Sequence, residues 1–506
     1  MEIHAFTINI FFTALILTVS AAAPVDVVLV EFLLSGQKTA TSLQFSAPTL
    51  DCVEEDLKAK YSGIFNISRV RIFDQNITTC DQLSQKSSFW ATRFYYREVQ
   101  NNPVMIFFAA GCNNAEASLG SLARAWNKPL MIPVNGDPSV ANKKRYPTVT
   151  RISPFIQEDL NSAMHRLLRM FYWNNVTILC DDADDHLALF VPMCTALHDS
   201  LRLTYNISSS RFYVNASNAD DLQHYLEEAK SISRVILLIG HGSRIRPIML
   251  GAAKAGMTNG EYVYIAVELY PSRKQLGTLQ WYTDNKDGQD EAAKTAFRSL
   301  LKVSLRPTER TTEYLNFMDR LKNRATNYGY FFGPDEALNP FALSYYYAAA
   351  ILFQVMNETV SKGNNLQDGV ALSRLIRGRT YDVMGHTVAI NWNGDRDAQW
   401  IISQTDPSTG DFRPILEQAT FNGVYNLTRS YGSDGTEQRI VWYNSNHAPL
   451  NEPRCGYRGL KEECKAESFA ISAMIVGITV TVVLVVGLLI TLIVLRKSIW
   501  EALRRA

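Results

Sequence analysis

Asp181, Asp182, Asp184, Asp185 and His186 form the densest run of chemically capable side chains in this 506-residue sequence. Carboxylates so close together could hold a hard cation such as calcium or magnesium. Adjacent acids directly after a strand-like run read more simply as a solvated strand-to-helix connection. Gly240-His241-Gly242-Ser243-Arg244 has the pattern of a tight turn opening a helix, where backbone amides could meet an anion. Neither segment comes with a nucleophile elbow, a Walker loop or a His-Glu-X-X-His pattern. Tyr345, Tyr346 and Tyr347, ahead of the apolar run Ala348 to Leu352, suit core packing. No catalytic residue and no metal site is assigned, and nothing in the body ahead of the apolar carboxyl-terminal run argues for an enzyme.

Positioning such groups requires a fold. Seven short runs read as strands: Val25 to Val30, Val70 to Phe73, Val104 to Phe108, Leu130 to Pro133, Val176 to Cys180, Val235 to Ile239 and Tyr262 to Val267. They are continuous apolar runs without alternation, the pattern of strands covered on both faces. Helical stretches lie at Asn161 to Phe171, His186 to Leu203, Ala219 to Ser231 and Ile245 to Ala255. Strand and helix in succession imply α/β sheets with parallel strands and right-handed crossovers. So long an alternation exceeds one core and predicts two lobes. Ligands of such sheets bind beyond the carboxyl ends of the strands.

Composition narrows the class. Fifty basic and 49 acidic side chains leave a net charge of +1, so there is no general attraction to nucleic acid. An apolar fraction of 47% excludes a disordered chain. At the amino end, the apolar run Ile8 to Val19 leads into Ala21 to Ala23, which predicts a cleaved signal peptide over residues 1–23. At the other end, Phe469 to Leu495 is 27 residues without a charge, about 40 Å of helix and long enough to span a bilayer. Arg496, Lys497, Arg504 and Arg505 follow, placing this end in the cytoplasm. The expected protein is single-pass and type I, at the plasma membrane with its amino terminus outside, in contact with membrane lipid through the 469–495 helix. The expected body is residues 24–454, with a juxtamembrane segment at 455–468 and a cytoplasmic tail at 496–506.

Seven Asn-X-Ser/Thr acceptors, at Asn66, Asn76, Asn175, Asn206, Asn215, Asn357 and Asn426, precede that helix. All seven cysteines, at 52, 80, 112, 180, 194, 455 and 464, precede it too, on the side where disulfides persist. An odd number leaves at least one thiol free or intermolecular, and none of the spacings is Cys-X-X-Cys.

Several stretches carry a resemblance. They are RVILLIGHGSRIRPIMLGAAKAGMTNGEYVYIAVELY from Arg234, NWNGDRDAQWIISQTDPSTGDFRPI from Asn391, AAGCNNAEASLGSLARAWNKPL before Met131, and TRISP from Thr150. Together they resemble the receptor-family ligand-binding region of natriuretic peptide receptors and receptor guanylyl cyclases. The resemblance covers roughly Val25 to Cys464, and Asn-Gly-Asp-Arg is its most specific part. It implies a bilobed ectodomain like the type I periplasmic binding proteins, joined by several crossovers and working as a homodimer or with a related receptor.

It also implies disulfides Cys80–Cys112 and Cys455–Cys464. Cys194 matches a position whose partner would fall near Leu238 or Ile239, where no cysteine stands. Cys52, Cys180 and Cys194 stay unassigned, with a buried apolar thiol the simple reading of Cys180. By matching position the ligand-facing residues would be Asp81, Gln82, Asn113, Asn114, Glu268 and Tyr270. Peptide-binding relatives carry an acidic and an aromatic residue where this chain has Gln82 and Asn114. No cofactor is implied beyond a chloride at the amides of Gly111 and Cys112, whose hydroxyl partner would fall at Phe73 or Asp74. The function expected is a receptor for an extracellular peptide or small molecule, sequestering it like a clearance receptor or acting through a partner chain. The alternative is a receptor guanylyl cyclase, a cGMP-signalling enzyme, lacking here its kinase-like and cyclase domains.

Overall fold

The computed structural model describes residues 23–35, 42–99, 101–134, 138–181, 189–272, 275–333, 336, 338–421, 424–432, 435–457 and 461–505. The expected signal peptide lies outside the described residues, apart from Ala23.

The first lobe is built on five parallel strands. β1 (Val25–Phe32), α1 (Leu43–Lys60), β2 (Phe65–Ile72), α2 (Cys80–Arg93), β3 (Val104–Phe108), α3 (Asn113–Trp126), β4 (Leu130–Ile132) and β5 (Val149–Arg151) follow one another, and the strands order as β2-β1-β3-β4-β5. Every residue of β3 and β4 is buried, because helices cover both faces of the sheet. Helix α2 starts at a capping box, with Gln82 and Thr79 satisfying each other's backbone amides.

A first crossover leads into the second lobe: α4 (Gln157–Met170), β6 (Asn175–Asp181), α5 (Phe190–Asp199), β7 (Ser208–Val214), α6 (Ala219–Lys230), β8 (Val235–Ile239), α7 (Gly242–Lys254), β9 (Val263–Val267), α8 (Asp290–Ala296) and β10 (Leu300–Leu305). A second returns the chain to the first lobe. There α9 (Thr312–Ala325) and α10 (Pro340–Ser361) pack on α1, followed by α11 (Gly369–Ile376) and the hairpin of β11 (Arg379–Val383) and β12 (His386–Ile390). A third adds β13 (Trp400–Thr405), β14 (Phe412–Phe421) and β15 (Val424–Arg429), antiparallel, to the second sheet. That sheet orders as β15-β14-β13-β10-β9-β8-β6-β7.

One apolar cluster runs from the underside of the first sheet, through α10, into the second. Helix α10 is apolar nearly all round, as a helix buried between other layers must be. The two lobes expected are therefore present, but they share this core. The outer faces of the sheets carry clusters of their own.

The chain ends in α12 (Glu462–Arg505). Its segment Met474–Trp500 is long and apolar enough to cross a membrane, and its apolar side chains are exposed. Helical structure continues past the expected span, and Arg504 stacks on Trp500 at 4.1 Å.

Candidate functional site

Four of the expected ligand-facing residues lie together at the carboxyl edge of the first sheet. Asp81 and Gln82 open α2, Asn113 and Asn114 open α3, and a Cys80–Cys112 disulfide holds the two helix starts with Cα atoms 5.2 Å apart. All four are exposed. Gln82 is committed to the cap, its Oε1 accepting from the amides of Thr78 at 2.9 Å and Thr79 at 3.2 Å. Asp81 stabilises the same terminus through its charge. Asp81, Asn113 and Asn114 keep their side chains at the surface. Gly111, at φ +82°, turns the chain from β3 into α3. A chloride there does not fit the residues present: Phe73 and Asp74 carry no hydroxyl, Asp74 Oδ1 accepts from Asn76 N at 2.8 Å, and a carboxylate repels an anion.

Glu268 and Tyr270 are buried in the second lobe and share no surface with the other four. Glu268 Oε1 accepts from Leu279 N at 2.7 Å, and its other oxygen pairs with Lys302 Nζ at 2.9 Å. Tyr270 donates to Gln275 Oε1 at 2.6 Å, and burial pushes its hydroxyl pKa well up. Glu268 fixes the loop after β9 to its own lobe, while Tyr270 bonds within the loop and packs on Phe341 of α10, with ring centroids 6.0 Å apart. The turn at 240–244 is likewise closed to an anion. Gly242 N donates to Leu276 O at 2.7 Å and His241 N to Asp181 Oδ2 at 3.2 Å. A Cβ at Gly242 would stand 2.8 Å from the Thr278 backbone, so packing demands the glycine. Asp181 is buried at that contact; Asp182, Asp184, Asp185 and His186 lie outside the described residues. Among the described residues, no group of three or more His, Cys, Asp or Glu could hold a metal.

A buried ionic cluster lies at the β5 edge of the first sheet, where the first crossover begins. Arg151, ending β5, donates from Nε and Nη2 to the two oxygens of Asp395, each at 2.7 Å. The backbones join as well: Arg151 N to Gly394 O at 3.0 Å, and Arg396 N to Arg151 O at 2.8 Å. Lys143 Nζ stands 3.2 Å from Asp395, and Glu158 is 3.3 Å from Arg151. Gly394 takes φ +82°, the left-handed conformation a glycine supplies freely. The TRISP and Asn-Gly-Asp-Arg segments therefore clamp the first crossover to the third. Sequence reading singled out both without pairing them; the available signal was an arginine set among the apolar neighbours of a strand.

The cysteines bring one correction. Cys180 is not a thiol: it is bridged to Cys194. Cys180 pairs in register with Ile239, one of the two places expected for the partner of Cys194. The bridge is thus rerouted by one strand. Among the described residues, Cys52 is the free, buried cysteine, its thiol pushed up to about 11 by burial. Cys455 is in a disulfide, while the side chain of Cys464 lies outside the described ones. Asn66, Asn76, Asn206, Asn215 and Asn426 are exposed and Asn357 is half-buried. Asn175 is engaged, its Nδ2 donating to Ile232 O at 2.6 Å, and Thr177 of the same triplet is fully buried.

A model of the receptor family ligand binding region matches residues 71–408. A receptor-type guanylate cyclase of Caenorhabditis elegans is 30% identical over 277 residues, covering 54% of this chain and 20% of that protein. Atrial natriuretic peptide receptor 2 of Rattus norvegicus is 23% identical over 396 residues, 74% of this chain and 36% of its own. Atrial natriuretic peptide receptor 3 of Mus musculus is 24% identical over 394 residues, 76% and 69% respectively. The chain thus spans a minor part of the first two relatives and about two thirds of the third.

Proposed function

This chain belongs to the receptor family ligand-binding region, and on that premise we propose that it is a single-pass cell-surface receptor for an extracellular peptide or small molecule. One observation carries the reading: two lobes share three crossovers, clamped by Arg151 and Asp395. A ligand that binds one lobe arrangement more tightly than another shifts the balance between them, and a clamped hinge converts that shift into a defined rotation. Asp81, Asn113 and Asn114 supply charged and amide groups for ligand contact on the first lobe. The helix Met474–Trp500 anchors the body, with Arg504 on the cytoplasmic side by the positive-inside bias. We place the protein at the plasma membrane as a type I chain, paired with a second copy or a related receptor.

The test is thermal melting of the full chain in detergent against pools of extracellular peptides and small metabolites. A cognate ligand raises Tm by mass action. If no pool moves the melting temperature, the binding reading is wrong and a structural or dimer-partner role replaces it.

The 30% identity to a receptor-type guanylate cyclase favours a second reading, in which these residues are the receptor portion of a longer cyclase. Sequencing the transcript past the codon for Ala506 separates the two. An open frame into kinase-like and cyclase sequence establishes the enzyme, and a stop codon removes it.

A further inference from the structure

A cavity of about 340 Å³ opens where all three crossovers pass. Pro154 of the first, Leu305 to Glu309 of the second and Arg396, Asp397 and Gln399 of the third contribute to its wall, closed by Pro340, Tyr347 and His386. None of the ligand-facing residues considered above lines it. At about 30 Å³ per water it has the room of roughly eleven waters, enough for a small organic molecule.

Its polar groups are not evenly matched. Arg306 is paired with Glu417. Arg396 pairs with no carboxylate among the described residues: its guanidinium lies over the Tyr347 ring at 4.9 Å and donates one hydrogen bond, to Ser344 Oγ at 3.3 Å. Four of a guanidinium's five N–H donors are therefore uncommitted to protein. On the same wall, the side-chain oxygen of Gln418 is buried with no partner among the described residues. Oxygen and nitrogen of that amide interchange by a half-turn, so Gln418 can offer an acceptor or a pair of donors. Tyr347 and His386 are fixed, with Tyr347 Oη 2.6 Å from His386 Nδ1 and His386 Nε2 2.8 Å from Glu309 O. They hold the ring on which Arg396 rests.

We propose that this hinge cavity is a separate binding site for a small carboxylate, received by Arg396 and Gln418. The planar guanidinium fork matches a carboxylate through two parallel hydrogen bonds. Leu305, Pro307, Pro154 and Pro340 provide an apolar side for the rest of the molecule. A dianion is disfavoured, since among the lining residues Arg396 is the cation without a carboxylate partner, and Glu309 and Asp397 share its wall. A bound carboxylate touches the second and third crossovers at once, and so ties the lobe angle to its own concentration.

The experiment uses the full chain in detergent, melted against sodium butyrate, with sodium chloride and 1-butanol at matched concentrations. Butyrate is expected to raise Tm saturably, while chloride and butanol do not. R396Q is expected to weaken butyrate by roughly thirtyfold or more, the scale for removing one partner of a buried charge pair. T387W, at the exposed cavity rim, obstructs the space with Arg396 left on Tyr347, and is expected to abolish the shift; it decides the matter if R396Q does not fold. A missing butyrate shift, an equal shift with chloride or butanol, or a shift retained in either folded variant overturns the proposal.

Discussion

Arg151 and Asp395 stand 244 residues apart in sequence and meet, buried, through two parallel hydrogen bonds of 2.7 Å at the β5 edge of the first sheet. Burial alone would raise the Asp395 carboxyl, but the Arg151 hydrogen bonds and the Lys143 charge outweigh it and hold the group below the usual carboxylate range. The pair therefore remains ionised, and the fold depends on both partners being present.

Asp395→Asn keeps the shape and removes the charge, leaving Arg151 buried with only Glu158 at its edge. Stripping one partner from a buried pair costs about 3–5 kcal/mol, which urea unfolding of the full chain measures. Replacing the whole cluster, as R151M and D395L with K143M, is expected to recover much of that loss, because apolar side chains carry no desolvation penalty and no buried cation is left unpaired. A cost under about 1 kcal/mol for D395N would show that the contact does not hold the hinge.

The Cys180–Cys194 bridge closes a separation of 14 residues between β6 and α5. Constraining a loop of that size in the unfolded chain contributes about 3 kcal/mol in the chain-entropy model. The double variant C180A/C194A is expected to lose that amount, and reductant is expected to destabilise the parent chain more than the variant. Equal sensitivity to reductant would mean that the bridge contributes nothing.

That bridge marks where sequence reading reaches its limit. Continuous apolar runs such as Val104 to Phe108 and Val235 to Ile239 announce strands because both faces are covered, and all seven runs do fall on strands. β7 escapes: it lies at the sheet edge, starts Ser208-Ser209-Ser210 and is only half-buried. β14 escapes too, since Pro414 and a register shift opposite Ile402 and Ser403 break its pattern. The partner of Cys194 depends on β6 lying beside β8, a tertiary neighbour that no local pattern encodes. Burial at the candidate site is similarly invisible: Asp81 and Glu268 are both acids after a strand, yet one faces solvent and the other an internal lysine.

Glycosylation offers a test of which acceptors the folded body leaves free. Asn66, Asn76, Asn206, Asn215 and Asn426 are exposed, so Asn→Gln at each is expected to increase gel mobility of chain made in a secretory cell. At Asn175 the amide nitrogen is spent on Ile232 O and Thr177 Oγ1 accepts from Ser233. N175Q is expected to leave mobility unchanged. A mobility step for N175Q would mean that a glycan is added there before β6 joins its sheet.

Glu31 predicts a pH dependence in the first lobe. It is fully buried on β1, beside Arg69 at 3.5 Å and Arg71 at 3.3 Å. Burial is the largest influence and outweighs both arginines, raising its pKa from 4.5 to about 7. The folded protein then holds this proton more tightly than the unfolded chain does. Its contribution to stability is complete below pH 4.5 and is lost as pH rises through about 7. Glu31→Gln fixes the neutral form, while Asp51 Oδ1 still accepts from Arg69 at 2.6 Å and pairs with Arg71. The variant is expected to match the parent below pH 4.5 and to exceed it above about 7, by a margin on the order of 3 kcal/mol. Urea midpoints of both chains across that range decide it. A parent that gains on E31Q as pH rises would show that the two arginines, not burial, govern Glu31.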